Sequence, residues 1–181
     1  MKRGILALVI LAASTAPALA ESDSKRYVEV GLGSASFGNI SPSPHPNVFR
    51  VVTGYRFDPM LAAEIDYSMF ESFIVGNSVS STSVFASSLQ IAVAGTFPVS
   101  EDFDLIGRIG RAQNMAIGNT TIPGRSSDRI AHSDLFFGLG AQYYVTRQFS
   151  LRAEYDNYGK FENTTSQLKA SSVSIGVVYS H

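Results

Sequence analysis

The sequence predicts an all-β fold: an eight-stranded antiparallel up-and-down transmembrane β-barrel behind a cleaved signal peptide. Three observations predict it. Apolar and polar residues alternate with period two in about eight segments. The connections between these segments alternate between short and long. Aromatic residues gather on the apolar face at the short-connection ends.

The first element is the leader. Lys2 and Arg3 precede Gly4 to Leu19, which are small or apolar nearly throughout, and Ala18-Leu19-Ala20 gives a small-x-small cleavage pattern. Residues 1–20 therefore read as a secretory signal and residues 21–181 as one barrel domain, with Glu21 as the new N-terminus. An N-terminal membrane anchor is the competing reading, disfavoured by the short apolar core.

The segments follow in order: Tyr27–Phe37, Asn47–Phe57, Met60–Phe70, Ser83–Phe97, Phe103–Gln113, Ser133–Val145, Phe149–Tyr158 and Ala170–Tyr179. The pattern is cleanest in the third. Ala63, Ile65, Tyr67 and Met69 are apolar, and Glu64, Asp66 and Ser68 between them are polar. Successive strand side chains point to opposite faces, so the segment has one apolar and one polar side. Most segments reach the length that a tilted strand needs to cross a bilayer.

The turns 57–60, 98–102 and 146–148 are short. The connections 38–46, 71–82, 114–132 and 159–169 are long and rich in Ser, Asn, Gly, Pro and Thr. Short turns on one side and long loops on the other is the pattern of an outer-membrane barrel with a periplasmic short side. An even strand count returns both termini there. Extending each apolar face to the short-turn end brings in Phe57, Phe97, Phe103, Phe149 and Tyr179, the aromatic girdle that a membrane interface favours.

The opposite face carries Glu29, Arg50, Arg56, Glu64, Asp66, Gln90, Arg108, Gln142, Arg152, Glu154 and Asp156, with Gly31, Gly33, Gly54, Gly110, Gly138 and Gly140. A soluble barrel would turn those charges and glycines to water. In a membrane barrel they fill a narrow lumen, in which the glycines make room for long side chains.

Composition excludes other classes. Without its leader the chain has 12 basic and 15 acidic residues, so no basic excess is present to hold nucleic acid. Cysteine is absent, which removes disulfides and thiolate metal sites. His45, His132 and His181 fall in loops or at the terminus and form no metal-ligand spacing. Gly31-Leu32-Gly33 lacks the helix that a dinucleotide site needs. His132-Ser133-Asp134 invites a catalytic triad, but neighbouring strand residues point apart. No catalytic residue, metal or cofactor is expected.

The residues also resemble a known family. Gly54-Tyr55-Arg56-Phe57-Asp58-Pro59 with Leu61 to Tyr67 is similar to a hairpin of the OmpA-like transmembrane β-barrel family. So are Phe97-Pro98-Val99 with Phe103 to Gly110, and Gly138 to Tyr143 with Leu151 to Tyr155. The resemblance covers nearly all of the chain after the leader. It implies an interior electrostatic gate, in which Glu64 and Arg152 match one acid and one base. Ala94 and Gln142 stand where members of the family have a second base and a second acid, so Arg108, Asp66 and Glu154 are candidate replacement partners. Some members carry a C-terminal peptidoglycan-binding domain; this chain ends after its eighth strand and is expected to lack one. Family barrels usually end on an aromatic residue that the assembly machinery reads, whereas here Ser180 and His181 follow Tyr179.

The expected function is structural or surface-interacting, in a Gram-negative outer membrane, with a lumen filled by ion pairs. A narrow gated pore is the first alternative and a lipid A-modifying enzyme the distant one. Expected partners are outer-membrane lipid and lipopolysaccharide, and the barrel-assembly machinery during biogenesis. The barrel is expected to be a monomer. The longest loop, 114–132, has Arg111 beside it and includes Arg125, Arg129, Ile117, Ile122 and Ile130; loops of this kind can contact lipopolysaccharide phosphates, host proteins or phage.

Overall fold

The computed structural model describes residues 25–39, 43–76, 81–120, 128–163 and 166–181. The predicted leader, residues 1–20, lies outside them. Eight strands form β1 (Arg26–Gly38), β2 (Asn47–Asp58), β3 (Leu61–Gly76), β4 (Ser81–Pro98), β5 (Phe103–Thr120), β6 (Asp128–Tyr144), β7 (Phe149–Asn163) and β8 (Ser166–Ser180). Each pairs antiparallel with its neighbours in sequence, and β1 pairs with β8, closing the barrel. Closure extends to the last residue: the His181 amide donates to the Arg26 carbonyl at 3.0 Å.

Period two fixes which side faces outward. Leu32, Ile65, Ile91, Val93, Ile109, Leu139, Val173 and Ile175 are all more than half exposed, and they form one aliphatic band round the wall. A water-soluble surface rarely carries an apolar patch of that extent, and a lipid-facing one must. No described helix is long and apolar enough to cross a membrane; the crossing elements are the strands.

Two of the short turns are held by side chains and the third by backbone bonds. Asp58 Oδ1 accepts from the amides of Met60 (2.7 Å) and Leu61 (2.9 Å). Thr146 Oγ1 accepts from the amides of Gln148 and Phe149. Val99 donates to the Phe103 carbonyl at 2.9 Å.

The opposite end differs from the sequence reading. Much of the predicted loops 71–82, 114–132 and 159–169 is strand: β3 runs to Gly76, β5 to Thr120, β6 starts at Asp128 and β7 reaches Asn163. His132, expected in a loop, lies on β6 opposite Asn114. The physical reason is that these strands outrun the hydrocarbon. Beyond it the outward face need not be apolar, so the alternation fades while the backbone ladder continues.

One seam interrupts this end. The β6–β7 ladder stops at Phe137↔Asn157, although both strands continue. Side chains take over from the missing backbone bonds. Asp134 Oδ2 accepts from the Lys160 amide at 2.8 Å, and Asn114 Nδ2 donates to the carbonyls of Tyr158 (2.7 Å) and Lys160 (2.9 Å). Gly159 sits here with φ +72°, at a register shift in the β7–β8 ladder. A β-carbon there would overlap the Asp134 carboxyl group as well as strain the backbone.

Candidate functional site

The inward face of the strands makes two layers. The layer nearer the short turns is charged. Glu29 comes from β1, Arg50 from β2, Glu64 and Asp66 from β3, Arg108 from β5, and Arg152, Glu154 and Asp156 from β7; all are buried. Room for them comes from small neighbours at the same level. Gly31 is opposite Arg50, Gly176 opposite Arg152 and Gly140 opposite Glu154. Arg108 lies between Ala94 and Gly138. A β-carbon on Gly138 would overlap Asp156, and one on Gly54 would overlap the Tyr27 ring.

Arg50 and Arg108 bind the same acids from two sides. Arg50 Nη2 is 2.6 Å from Asp66 Oδ2, and Arg50 Nη1 hydrogen-bonds Glu154 and lies 2.9 Å from Asp156 Oδ2. Arg108 Nε is 2.5 Å from Glu64 Oε2, its Nη2 3.0 Å from Asp66 Oδ2, and its Nη1 3.2 Å from Asp156 Oδ1. Arg152 Nη1 reaches Glu64 Oε1 at 3.0 Å and Glu29 Oε2 at 3.2 Å, while its Nε donates to Gln142 Oε1 at 3.0 Å. Tyr27 donates its hydroxyl to Glu64. Buried charges are tolerable only when each has such partners. The five carboxylates and three guanidiniums carry a formal charge of −2.

Glu64 and Arg152, the pair that the resemblance picks out, are in contact. Gln142 is the amide bound to Arg152. Arg108 and Asp66 are in contact, and Glu154 lies against Arg50. Ala94 supplies space for Arg108 rather than charge. Arg50, Glu29 and Asp156 belong to the same network although the gate comparison names none of them. Their inward parity was readable in the sequence; the central position of Arg50 was not.

The second layer, nearer the long loops, is aromatic. Phe37, Phe70, Phe73, Phe136, Tyr158 and Phe161 are buried with Ala35, Val48, Ala86, Ala112, Ala116 and Ala170. Phe37 packs edge-on against Phe70 at 5.3 Å between centroids, and Phe70 does the same against Tyr158. The layers join where the Arg108 guanidinium lies 5.0 Å above the Phe136 ring and the Tyr158 hydroxyl meets Ser172 at 2.9 Å. Sequence reasoning missed this cluster. Its signal was available: Phe37, Phe70 and Tyr158 end their segments on the inward parity at the long-loop side.

The outward aromatics lie at the other end. Phe57, Phe97, Phe149 and Tyr179 are exposed, and Phe103 is half-buried opposite Tyr143. Tyr179 packs against Phe149 at 5.2 Å and stacks on His181 at 5.9 Å. Among the described residues no group of His, Asp or Glu could hold a metal ion. On β6, Ser133 is exposed while His132 and Asp134 are half-buried, and Asp134 is occupied by the amides of Leu135 and Lys160. Arg111 is an exposed β5 residue. Arg125, Ile122 and the side chains of Arg129 and Ile130 lie outside the described residues.

Residues 5–180 match the model of the outer membrane protein beta-barrel domain. The chain belongs to that family. Its relatives agree. Outer membrane protein A of Klebsiella pneumoniae is 27% identical over 133 residues, covering 70% of this chain and 38% of the relative. Outer membrane protein A of Escherichia coli O157:H7 is 24% identical over 191 residues, covering 99% of this chain and 55% of the relative. The chain thus spans about two fifths to half the length of these relatives. Among solved structures, Neisserial surface protein A superposes with a TM-score of 0.69 at 22% identity, covering 89% of this chain and all of that one. The family, the closed eight-stranded wall and its outward aliphatic band assign the chain to the bacterial outer membrane.

Proposed function

We propose that this barrel is a structural and surface-interacting protein with a closed lumen. The observation that supports this most is the stacking of the aromatic layer on the charged layer. A solute entering from the long-loop end meets Phe37, Phe70 and Phe136 before the ion pairs. In this reading the charged layer holds the strands together from inside, and the projecting strand ends present the contact surface. The short turns and both termini face the periplasm. The partners are outer-membrane lipid and lipopolysaccharide, with the assembly machinery acting during biogenesis and the barrel standing as a monomer. Neisserial surface protein A carries "surface" in its own name, which accords with this reading. Proteoliposome swelling tests it. Vesicles containing the barrel should admit a small sugar no faster than empty vesicles; swelling at a porin-like rate would reject the closed lumen.

A narrow gated pore has one observation in its favour. Glu64 is shared between Arg108 and Arg152, so its carboxylate has two alternative guanidiniums to choose between. Opening by that exchange would also require the aromatic layer to part. Lipid A modification stays the distant reading, since Asp134 is committed to backbone amides.

A further inference from the structure

The outward wall has a notch at one level. Reading across four strands, Leu61 on β3 pairs with Gly95 on β4, Gly95 with Gly107 on β5, and Gly107 with Leu139 on β6. Two adjacent side chains are thus missing between two leucines. The gap belongs to an apolar groove of about 850 Å³ that Met60, Phe97 and Leu105 also line, with Asp58 at its end. Inward glycines such as Gly54 and Gly138 are required because a β-carbon would overlap a neighbour. Gly95 and Gly107 are not. A β-carbon on Gly95 would come no nearer than 3.9 Å to any neighbour, and one on Gly107 no nearer than 4.0 Å. The wall would accept larger residues at both positions, so its own packing does not explain the notch.

We propose that this groove seats one acyl chain of a phospholipid whose headgroup carries an ammonium, in the leaflet on the short-turn side. The depth sets the occupant's apolar part: the notch lies one outward position inside Phe97, where hydrocarbon begins. The rim sets the polar part. Asp58 on one flanking turn and Glu101 and Asp102 on the other are exposed, and neither turn carries a base. A zwitterionic amine headgroup complements that rim, whereas a headgroup that is only anionic is repelled by it. A second copy docking symmetrically through this groove would bring the same acids face to face, which opposes association. The inference rests on the membrane reading above but not on its orientation, since a nanodisc offers the same lipids to both leaflets.

The test is native mass spectrometry of the barrel released from nanodiscs of equimolar phosphatidylethanolamine and phosphatidylglycerol with matched chains. The expected result is a retained phosphatidylethanolamine in excess over phosphatidylglycerol. Gly95→Leu with Gly107→Leu should lose that adduct, while Ala153→Leu, an outward filling on β7, should keep it. Asp58→Asn with Glu101→Gln and Asp102→Asn should keep a lipid but lose the preference. Heat-dependent gel mobility confirms that each variant is folded; Gly95→Ala, which fits the fold without displacement, gives a milder filling that should weaken retention. Equal retention of both lipids by the native barrel, no retention at all, or unchanged retention in the filled variant would overturn the proposal. A dimer lost on filling would overturn it in favour of a second copy.

Discussion

Replacing Arg50 by Met tests the charged layer most sharply, because Arg50 holds Asp66, Glu154 and Asp156 at once. The change takes the network from a formal charge of −2 to −3. Its acids are not wholly abandoned: Arg108 remains 3.0 Å from Asp66 and 3.2 Å from Asp156. Breaking a buried ion pair costs about 3–5 kcal/mol, and the residual contacts place this case near about 3 kcal/mol. Asp156→Asn moves the charge the other way, to −1. Asp156 feels attraction from Arg50 and Arg108 and repulsion from Glu154 and Asp66. The repulsions offset part of the attraction, and removing one acid relieves the excess negative charge rather than adding to it, so the loss should be smaller than for Arg50→Met. Arg50→Met should therefore be clearly more destabilised than Asp156→Asn. The double variant restores −2 and should be less destabilised than the sum of the singles. Urea unfolding from lipid vesicles, followed by circular dichroism and gel mobility, measures all three. Equal losses for Arg50→Met and Asp156→Asn, or no loss for Arg50→Met, would refute the reasoning.

Phe70→Ala should cost about 3–5 kcal/mol in the same assay, because Phe70 is buried among Phe37, Tyr158 and Phe161 and its removal leaves a cavity. Asp134→Ala should speed hydrogen exchange of the Lys160 amide about tenfold, the worth of one hydrogen bond, while leaving exchange in the β6–β7 ladder below Phe137 unchanged. Gly54→Val should fail to reach the heat-modifiable folded form, since its side chain would occupy the Tyr27 ring position, whereas Gly95→Ala should fold normally.

Much of this fold was legible because a membrane barrel obeys one simple rule. Lipid on one side and a narrow lumen on the other give every residue a face, and Leu61 to Phe70 declares that rule in ten residues. The same parity put Glu64, Arg152, Asp66, Arg108 and Glu154 inside. It could not say that Arg50 would touch Asp66, Glu154 and Asp156, because pairing depends on register across strands distant in sequence. The long-loop end was misread for a different reason. Asn114 looks like the start of a loop, yet its amide bonds the carbonyls of Tyr158 and Lys160 across the seam where β6 and β7 part. A polar residue on a strand that has left the hydrocarbon gives no alternation signal. The inward aromatics Phe37, Phe70 and Tyr158 were obscured because a phenyl ring in a barrel segment reads first as a lipid-facing residue.

The most direct measurement is electrical. Purified barrel reconstituted in a planar bilayer should show no stepwise openings, and Arg152→Ala or Glu64→Ala alone should produce none while the aromatic layer stays intact. Regular openings of the native barrel, with a conductance that changes when Glu64 or Arg152 is replaced, would contradict a closed lumen and make the ion pairs a gate.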